Sequence, residues 1–352
     1  MAGSQWLEAL GVELPIIQAP MAGSTTVDLV VAVAEAGGLG SLPTATLGLD
    51  AVRSEWRAIR ARTAKPVAVN YFCHARPVDD AARDVAWRAV LAPYYAEHGI
   101  DPSTLPSGAA RHPFDEAACA FVEEARPEVV SFHFGVPADP LLARVRATGA
   151  VVMASATSAE EARWLEPRCD VIIAQGVEAG GHQGHFLTQR PPGIPLASLL
   201  PAVVASVSRP VVAAGGLMNG ADVAAVLAQG ASAAQLGTAF LFCPEAGTSA
   251  LHRAALVGSR GEETALTTLF TGRPARGIVN RIMRELGPLR EDAPAFPLGA
   301  NYLAPLRAAA ERAGRVDFTP LWAGTRYAEG RVMPAAELVR RLADEAGLAP
   351  AS

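Results

Sequence analysis

Residues 210–240 read PVVAAGGLMNGADVAAVLAQGASAAQLGTAF and contain one complete repeat of the pattern that decides the fold. The runs 210–216 and 233–240 are short and rich in Val and Ala, as expected for parallel strands buried on both faces. Between them, residues 221–229 place apolar side chains at helical spacing, behind an Asn219 suited to cap a helix. The stretch therefore predicts a strand, a helix and a second strand, with a glycine turn after each strand.

The same alternation extends through most of the chain. The predicted strands are residues 15–20, 38–43, 66–73, 129–135, 150–157, 171–176, 210–216 and 233–240, and the predicted helices are 27–36, 50–61, 114–125, 140–148, 159–167, 196–207 and 221–229. Eight βα units in series favour an α/β fold of the (β/α)8 TIM barrel type over a doubly wound sheet. No G-x-G-x-x-G follows the first strand, which argues against a Rossmann dinucleotide-binding domain.

Two regions interrupt the alternation. Residues 74–113 are rich in Pro, Ala and Arg, and we expect them to form an insertion over the mouth of the barrel. Residues 243–314 predict a smaller, mainly helical cap domain that contributes to substrate binding. The barrel then comprises residues 1–242 and 315–352, with a last helix at 335–346 packed against it.

The bulk composition excludes several classes of protein. The chain has 352 residues, a net charge of −5 and no block of like charge, which argues against nucleic acid or a membrane as partner. The first ten residues lack the basic segment of a signal peptide. Scattered cysteines without a C-x-x-C pair favour a reduced, cytoplasmic protein. These cysteines are Cys73, Cys119, Cys169 and Cys243.

The loop that follows the sixth strand carries the strongest functional signal. Residues 175–184 read QGVEAGGHQG, directly after an apolar run. The glycines allow the backbone to approach a flat or anionic ligand closely. His182 stands beside them, and histidine is the side chain that titrates near neutral pH. The alternative is a glycine-rich loop with an incidental surface histidine.

Other strand ends add candidate ligand contacts. Met21 offers a soft apolar surface for the face of a ring, and the Asn70 amide carries both a donor and an acceptor for a heterocycle. The alternatives are a plain turn and a capping amide. If Phe132 and Phe134 pack outward, strand alternation points Ser131 and His133 into the barrel. His133 is then either a site residue or a hydrogen-bonded core histidine, whereas His74 is expected to be exposed.

Glycine turns follow the last two strands of the predicted barrel. Gly215 and Gly216 end the seventh strand, and Gly237 with Thr238 lies on the eighth. Turns at these two positions form the recurrent phosphate site of TIM barrels. Together they predict a phosphorylated cofactor.

Two other kinds of site receive little support. His182 and His185 have a spacing that metals sometimes use, but no cysteine cluster completes a ligand set, so no metal is expected. No G-x-S-x-G elbow is present for a serine hydrolase.

The chain resembles the nitronate monooxygenase family, formerly called 2-nitropropane dioxygenases. The matching segments are PIIQAPMAG at 15–23, AGGLG at 36–40, QGVEAGGHQG at 175–184, AAGG at 213–216, QLGT at 235–238 and FTGRPAR at 270–276. They occur in order over roughly residues 14–280. The combination is specific to the family, although each segment alone is not.

The resemblance implies an FMN-dependent TIM barrel with a smaller second domain. It assigns His182 as the catalytic histidine, and it assigns His133 and Tyr302 to the substrate pocket. The positions that it implies for flavin binding are Ala19, Pro20, Met21, Asn70, Gln175, Gly180, Gly181, Gly215, Gly216, Gln235, Leu236, Gly237 and Thr238.

The activity that the resemblance implies is oxidation of a small alkyl nitronate, such as propionate 3-nitronate, with O2. The expected products are a carbonyl compound and nitrite, formed by way of a flavin semiquinone, in a pathway of nitroalkane detoxification. His182 would orient the nitronate as a cation or a hydrogen-bond donor, or would act as general base for a neutral nitroalkane. A monomer or homodimer is expected.

Two further functions remain open from the sequence. Flavin-dependent enoyl-acyl carrier protein reductases use NAD(P)H and share the Gly-Gly-His loop, but their first strand resembles Q-G-G-M, where this chain has Gln18-Ala19-Pro20-Met21. That contrast favours nitronate oxidation. The second alternative is a flavin-binding barrel without catalysis.

Overall fold

The computed structural model describes residues 5–78, 80–105, 111–258, 261 and 263–348. Its strands are β1 Ile16–Gln18, β2 Gly40–Pro43, β3 Val67–Phe72, β4 Val129–His133, β5 Val151–Ala156, β6 Val171–Gln175, β7 Gly181–His182, β8 Val211–Ala214, β9 Ala233–Leu236, β10 Thr264–Thr267 and β11 Ala275–Ile278. Eight of them form one parallel sheet in the order β1-β9-β8-β6-β5-β4-β3-β2. A bridge between Ile17 and Leu39 joins the two ends of this order and closes the barrel. The predicted TIM barrel is confirmed.

Helices lie before, between and after the barrel strands. They are α1 Gln5–Leu10, α2 Val27–Glu35, α3 Leu49–Arg60, α4 Ala81–Glu97, α5 Glu116–Ala125, α6 Asp139–Ala147, α7 Ala159–Leu165, α8 Leu196–Val204, α9 Gly220–Ala228, α10 Ala250–Gly258, α11 Arg281–Leu286, α12 Gly299–Arg312 and α13 Ala335–Glu345. All seven predicted barrel helices are present, and α13 packs against α2 and α9, as expected. Asn219 caps α9 through a reciprocal capping box with Asp222.

The barrel strands are buried on both faces, which explains their continuous apolar sequences. Outward side chains such as Ile172 and Ala174 join the layer beneath the helices. Inward side chains such as Val171 and Ile173 fill the barrel interior, together with Leu7 and Val12 near the N-terminal end of the described chain. This plug leaves the opposite end of the barrel as the place where a ligand can enter.

One local prediction needs correction. Residues 238–240 were expected to extend the eighth strand, but β9 ends at Leu236 and Thr238–Phe242 form a 3-10 helix. An apolar run alone does not distinguish these conformations, and the Thr238 hydroxyl accepts a hydrogen bond of 2.9 Å from the distant Gly324 amide. The insertion, for which no secondary structure was predicted, contains α4, a 17-residue helix that accommodates Pro93.

A second hydrophobic cluster lies apart from the barrel core. Trp87 and Tyr95 of α4 pack there with side chains from residues 269–318, including Phe270 and Phe318. A small antiparallel sheet of order β10-β11-β7 accompanies this cluster. Because β7 belongs to the glycine-rich loop of the barrel, the loop is built into the second sheet.

Among the described residues, no helix combines the length and the apolar character that crossing a membrane requires.

Candidate active site

The alternation of side-chain direction along the barrel strands determines which residues form the floor of the site. One ring of inward side chains belongs to the barrel plug: Ile17, Ala68, Val129, Met153, Ile173, Val212 and Ala233. Two residues further along each strand, the next inward side chains face a cavity of about 430 Å³: Ala19, Asn70, Ser131, Ser155, Gln175, Ala214 and Gln235. The period of two along each strand therefore delivers these positions to one place.

Most of the predicted site residues line this cavity. They are Ala19, Pro20, Met21, Asn70, His133, Gln175, Gly180, Gly181, His182, Gly215, Gly216, Gln235, Gly237 and Thr238. Arg111 of the insertion, residues at both ends of the cap region and residues between 319 and 326 complete the wall. The sequence therefore identified the barrel side of the cavity, strand end by strand end.

Two predicted residues are placed elsewhere. The Leu236 side chain packs in the outer core, while its carbonyl accepts a hydrogen bond of 2.8 Å from the Ala19 amide. Tyr302 lies on α12 in the second hydrophobic cluster, where the guanidinium of Arg88 stands 5.4 Å from its ring. Burial and a hydrogen bond with Asp84 raise the pKa of Tyr302 to about 12. Neither side chain is in the cavity lining.

The side chain of Gln175 holds the glycine-rich loop in place. Its amide nitrogen donates to the His182 carbonyl at 3.0 Å, and its amide oxygen accepts from the Gly184 amide at 2.7 Å. Both ends of the amide therefore bind the loop, and β7 adds the pairing of His182 with Ala275 in β11. These contacts fix the position of the histidine relative to the barrel.

The glycines of the site serve different purposes. A Cβ on Gly180 would lie 2.7 Å from the Ala323 carbonyl carbon, so this glycine permits close packing of two protein segments. Gly215 and Gly216 have φ values of 113° and 70°, and residues that carry a side chain rarely adopt such values. The turn after β8 thus depends on glycine for its conformation.

His182 is enclosed by aromatic rings and makes one side-chain hydrogen bond. Its Nε2 lies 2.9 Å from the Thr271 hydroxyl, and the Phe296 and Trp322 ring centroids lie 5.3 and 5.7 Å from its own. Burial, followed by the charge of Arg111, lowers the pKa of His182 well below its usual range. The imidazole is therefore neutral at neutral pH, and the predicted cationic form is disfavoured.

His133 supports the loop from below. Its Nδ1 lies 3.1 Å from the Ser155 hydroxyl and its Nε2 lies 3.2 Å from the His182 carbonyl. A Cβ on Gly184 would come within 2.7 Å of the His133 ring, so the loop rests directly on this histidine. Burial lowers the pKa of His133 to about 3. The contacts match the alternative of a hydrogen-bonded histidine, although the residue also lines the cavity.

Two aromatic residues differ from expectation. His74, predicted to be exposed, is 5% exposed, and its ring packs 4.8 Å from the Phe296 ring. Burial lowers the pKa of His74 to about 4. Phe134 does not pack outward, because β4 ends at His133 and Phe134 adopts a φ of 70°. Its ring turns over the barrel mouth, 6.0 Å from the His182 ring.

The formally charged side chains in the described cavity lining are all positive. The described lining contains no Asp or Glu, but it contains three arginines: Arg111, Arg307 and Arg326. These residues, with His252 and Trp322, were not identified from the sequence, because they lie outside the strand-end pattern. The lining is suited to an anionic ligand. Within the described part of the chain, no three His, Cys, Asp or Glu residues form a group that could hold a metal.

Comparison with known families gives a consistent result. A family model described as nitronate monooxygenase matches residues 4–345. A nitronate monooxygenase of Pseudomonas aeruginosa is 42% identical over 340 residues, which cover 96% of this chain and 97% of the relative. A nitronate monooxygenase of Paraburkholderia phytofirmans is 40% identical over 346 residues, covering 96% and 94% of the two chains.

Solved structures with a similar fold include a nitroalkane oxidase from Streptomyces ansochromogenes. It is 42% identical, has a TM-score of 0.88, and the match covers 97% of this chain and 98% of the other. A structure of FabK from Thermotoga maritima has a TM-score of 0.71 at 23% identity, covering 98% and 96%. The second likeness concerns the fold alone.

Proposed function

Because this chain belongs to the nitronate monooxygenase family and is therefore an oxidoreductase, we propose that it oxidises alkyl nitronates with O2, using FMN, to a carbonyl compound and nitrite. The observation that carries the proposal is the placement of His182 within a cavity that has no acidic lining residue among those described. A nitronate is an anion, and the cavity offers it cationic and polar groups. A cytoplasmic location stays a prediction.

Two features of the cavity fit FMN. The backbone N–H groups of Gly215, Gly216 and Gly237 donate to no described residue, so they are available to phosphate oxygens. Met21, Asn70 and His182 line the same cavity as these glycines. Its volume of about 430 Å³ is ordinary for a ligand site of this kind.

Different residues would hold the phosphate and the ring of the cofactor. We assign the phosphate to the turns after β8 and β9, and the flavin ring to the surface formed by Ala19, Pro20 and Met21. The amide oxygen of Asn70 accepts no hydrogen bond from the described residues, while its nitrogen donates to Ser131, so the oxygen is free for a ring N–H. When bound, FMN accepts electrons from the nitronate and passes them to O2.

His182 is assigned the handling of the substrate. A preformed nitronate has already lost the acidic α-proton of the nitroalkane, so the imidazole orients the anion by donating a hydrogen bond. For a neutral nitroalkane, the unprotonated imidazole would have to remove the α-proton as a general base. Because its pKa is lowered, His182 is a weak base for this step. This difference favours the nitronate as substrate.

Steady-state turnover tests the proposal. The purified, FMN-loaded protein is given propionate 3-nitronate, and O2 consumption is measured together with nitrite release. We expect nitrite to form with O2 uptake and without NADH. Rapid oxidation of NADH, with no nitrite from any nitronate, would instead assign the protein to the flavin reductases.

A further inference from the structure

The three arginines of the cavity lining differ in how their charges are balanced. Arg307 Nε lies 2.7 Å from a carboxylate oxygen of Glu311. Arg326 contacts two carboxylates, those of Asp222 and Glu329, each at 2.6 Å. No carboxylate of the described chain lies within 4.0 Å of Arg111. Its charge is therefore the one in the described lining that is left for a ligand to balance.

Arg111 is also partly removed from water. The residue is half-buried, and burial lowers the pKa of its guanidinium. Partial burial of a cation without a counter-ion is unfavourable, and an anionic ligand would relieve that cost. Arg111 and His182 line the same cavity, and the charge of Arg111 contributes to the lowered pKa of that histidine.

The chain near Arg111 is fixed to the barrel. The Phe114 amide donates to the Phe72 carbonyl at 2.8 Å, and the Phe114 ring packs 4.9 Å from the Tyr71 ring. Both partners belong to β3. The insertion therefore returns to the barrel at the end of β3, and Arg111 enters the cavity from that side.

Barrel topology separates Arg111 from the phosphate turns. In the closed order of eight strands, β3 lies directly opposite β8. The Gly215–Gly216 turn follows β8, and Arg326 donates to the Gly216 carbonyl there at 3.1 Å. A cofactor phosphate at that turn is on the far side of the barrel mouth from the end of β3. Arg111 is thus placed for the substrate rather than for the phosphate.

Arg273 is the alternative cation near His182, but it lines an adjoining cavity with His74 and Phe296 and is absent from the lining that contains His182. Its guanidinium carbon lies 4.0 Å from the Phe134 ring centroid, and it donates to the His185 carbonyl. Its Nε is buried and has no hydrogen-bond partner among the described residues. Because the cavity that holds His182 is lined by Arg111 and not by Arg273, we assign Arg111 to the substrate.

We propose that Arg111 binds a second anionic group, a carboxylate, on the nitronate substrate and so determines a preference for carboxylated nitronates. This inference rests on the proposed function, because it assigns one end of the same substrate. An arginine presents two parallel N–H donors that match a carboxylate, and His182 remains free for the nitronate end.

The kinetic test compares two substrates of similar length, propionate 3-nitronate and propyl-1-nitronate, which lacks the carboxylate. In Arg111→Gln we expect kcat/KM for the carboxylated substrate to fall roughly ten- to a hundredfold, mainly through KM, as for loss of a charged hydrogen bond. For propyl-1-nitronate, kcat/KM should change less than about threefold. The matched variant Arg307→Gln removes a balanced arginine and should keep the preference.

Three results would overturn the assignment. Equal losses for both substrates would place Arg111 at the nitronate or in the fold, and no loss for either would remove it from binding. A selective loss in Arg307→Gln as large as in Arg111→Gln would attribute the preference to the total charge of the cavity.

A binding measurement separates this inference from the proposed function. Succinate has the shape and charge of propionate 3-nitronate but cannot be oxidised in the same way. Titration calorimetry on the FMN-loaded protein should show succinate binding that weakens about tenfold or more in Arg111→Gln. Equal succinate affinity in wild type and variant contradicts the role of Arg111. Absence of nitronate turnover with Arg111-dependent succinate binding contradicts the proposed function alone.

Discussion

At the scale of single residues, His182 is defined by three constraints. Gln175 and His133 both contact its carbonyl oxygen, at 3.0 and 3.2 Å, and Thr271 contacts its ring. The backbone and the imidazole are therefore positioned separately. Fixed positioning of a neutral histidine against a ligand is the arrangement that oriented catalysis requires.

Replacement of His182 tests this role directly. In His182→Asn, we expect kcat/KM for propionate 3-nitronate to fall by on the order of a hundredfold or more, because the positioned donor is lost. Flavin content per protein, measured by absorbance, should stay unchanged. His98→Asn, at the C-terminal end of α4 and outside the cavity lining, is the control and should retain activity. Full turnover in His182→Asn would remove His182 from the mechanism.

Thr271 has a distinct part in orienting the imidazole. Its hydroxyl lies 2.9 Å from His182 Nε2 and 3.3 Å from the Arg273 carbonyl. When the hydroxyl donates to Nε2, the imidazole proton is on Nδ1, which is then the donor available to a ligand. We propose that the hydroxyl donates to Nε2 rather than to the Arg273 carbonyl, and that it thereby selects the tautomer that suits an anionic substrate.

We expect Thr271→Val to lower kcat/KM on the nitronate about tenfold, the effect of one lost hydrogen bond of about 1–1.5 kcal/mol. Thr271→Ser keeps the hydroxyl and should restore most of the activity, with the same flavin content. Equal activity of the Val and Ser variants would show that the hydroxyl does not orient His182.

At the scale of elements, the segment after β7 is anchored by a buried carboxylate. Glu161 on α7 is 1% exposed. Ser158 and Glu161 have the spacing of a capping box, but the carboxylate instead accepts from the Thr157 amide and from the Phe186 and Leu187 amides, at 2.7, 2.6 and 3.2 Å. Ser158 still caps α7 by accepting from the Glu161 amide at 3.1 Å. The hydrogen bond from the Glu161 amide to the Ser158 hydroxyl is therefore present, whereas the Glu161 carboxylate binds the loop.

Substitution of Glu161 tests how much its carboxylate contributes to the stability of the fold. Glu161→Gln replaces an acceptor oxygen by a donor, so we expect the free energy of unfolding in urea to fall by about 1–3 kcal/mol. Glu160→Gln changes the exposed neighbour on the same helical turn and should leave stability within about 0.5 kcal/mol. If the two variants unfold at the same urea concentration, the carboxylate does not stabilise the loop.

The barrel strands and their helices were predictable because each follows its own local pattern. Strands buried on both faces are apolar runs, and amphipathic helices show their spacing within a few turns. The 3-10 helix at Thr238–Phe242 was not predictable, because Gly324 fixes Thr238 from 86 positions away. Long-range contacts of this kind leave no local signal.

At the scale of the whole molecule, the site joins two units. The glycine-rich loop is a strand of the second sheet, since His182 pairs with Ala275. The α4 helix and residues 269–318 share one hydrophobic cluster, so we propose that the insertion at 74–113 and the cap at 243–314 form one unit that extends a few residues past 314. The sequence predicted each region separately, because their shared core depends on pairings between distant segments.

Buried histidines give the whole fold a pH dependence. Burial lowers the pKa of His74, His185 and His252 to about 4 and that of His133 to about 3. In the unfolded chain these groups take up protons near pH 6.5, whereas in the folded chain they stay neutral until well below that pH. The unfolded state therefore binds more protons, and stability falls as pH decreases.

We expect the Tm of the protein to be constant above about pH 7 and to fall progressively from about pH 6.5 towards pH 5. This window lies above the range in which most carboxylates titrate, so it reports mainly on the histidines. Thermal unfolding followed by circular dichroism at a series of pH values provides the measurement. A Tm that does not change between pH 7 and 5 would mean that these histidines are not buried in the neutral form.

The most direct test of the central claim is the visible spectrum of the FMN-loaded protein during anaerobic mixing with propionate 3-nitronate. We expect rapid loss of the oxidised flavin spectrum without any nicotinamide, and much slower loss in His182→Asn. Persistence of the oxidised spectrum with the nitronate, together with its loss on addition of NADH, would contradict nitronate oxidation as the function of this chain.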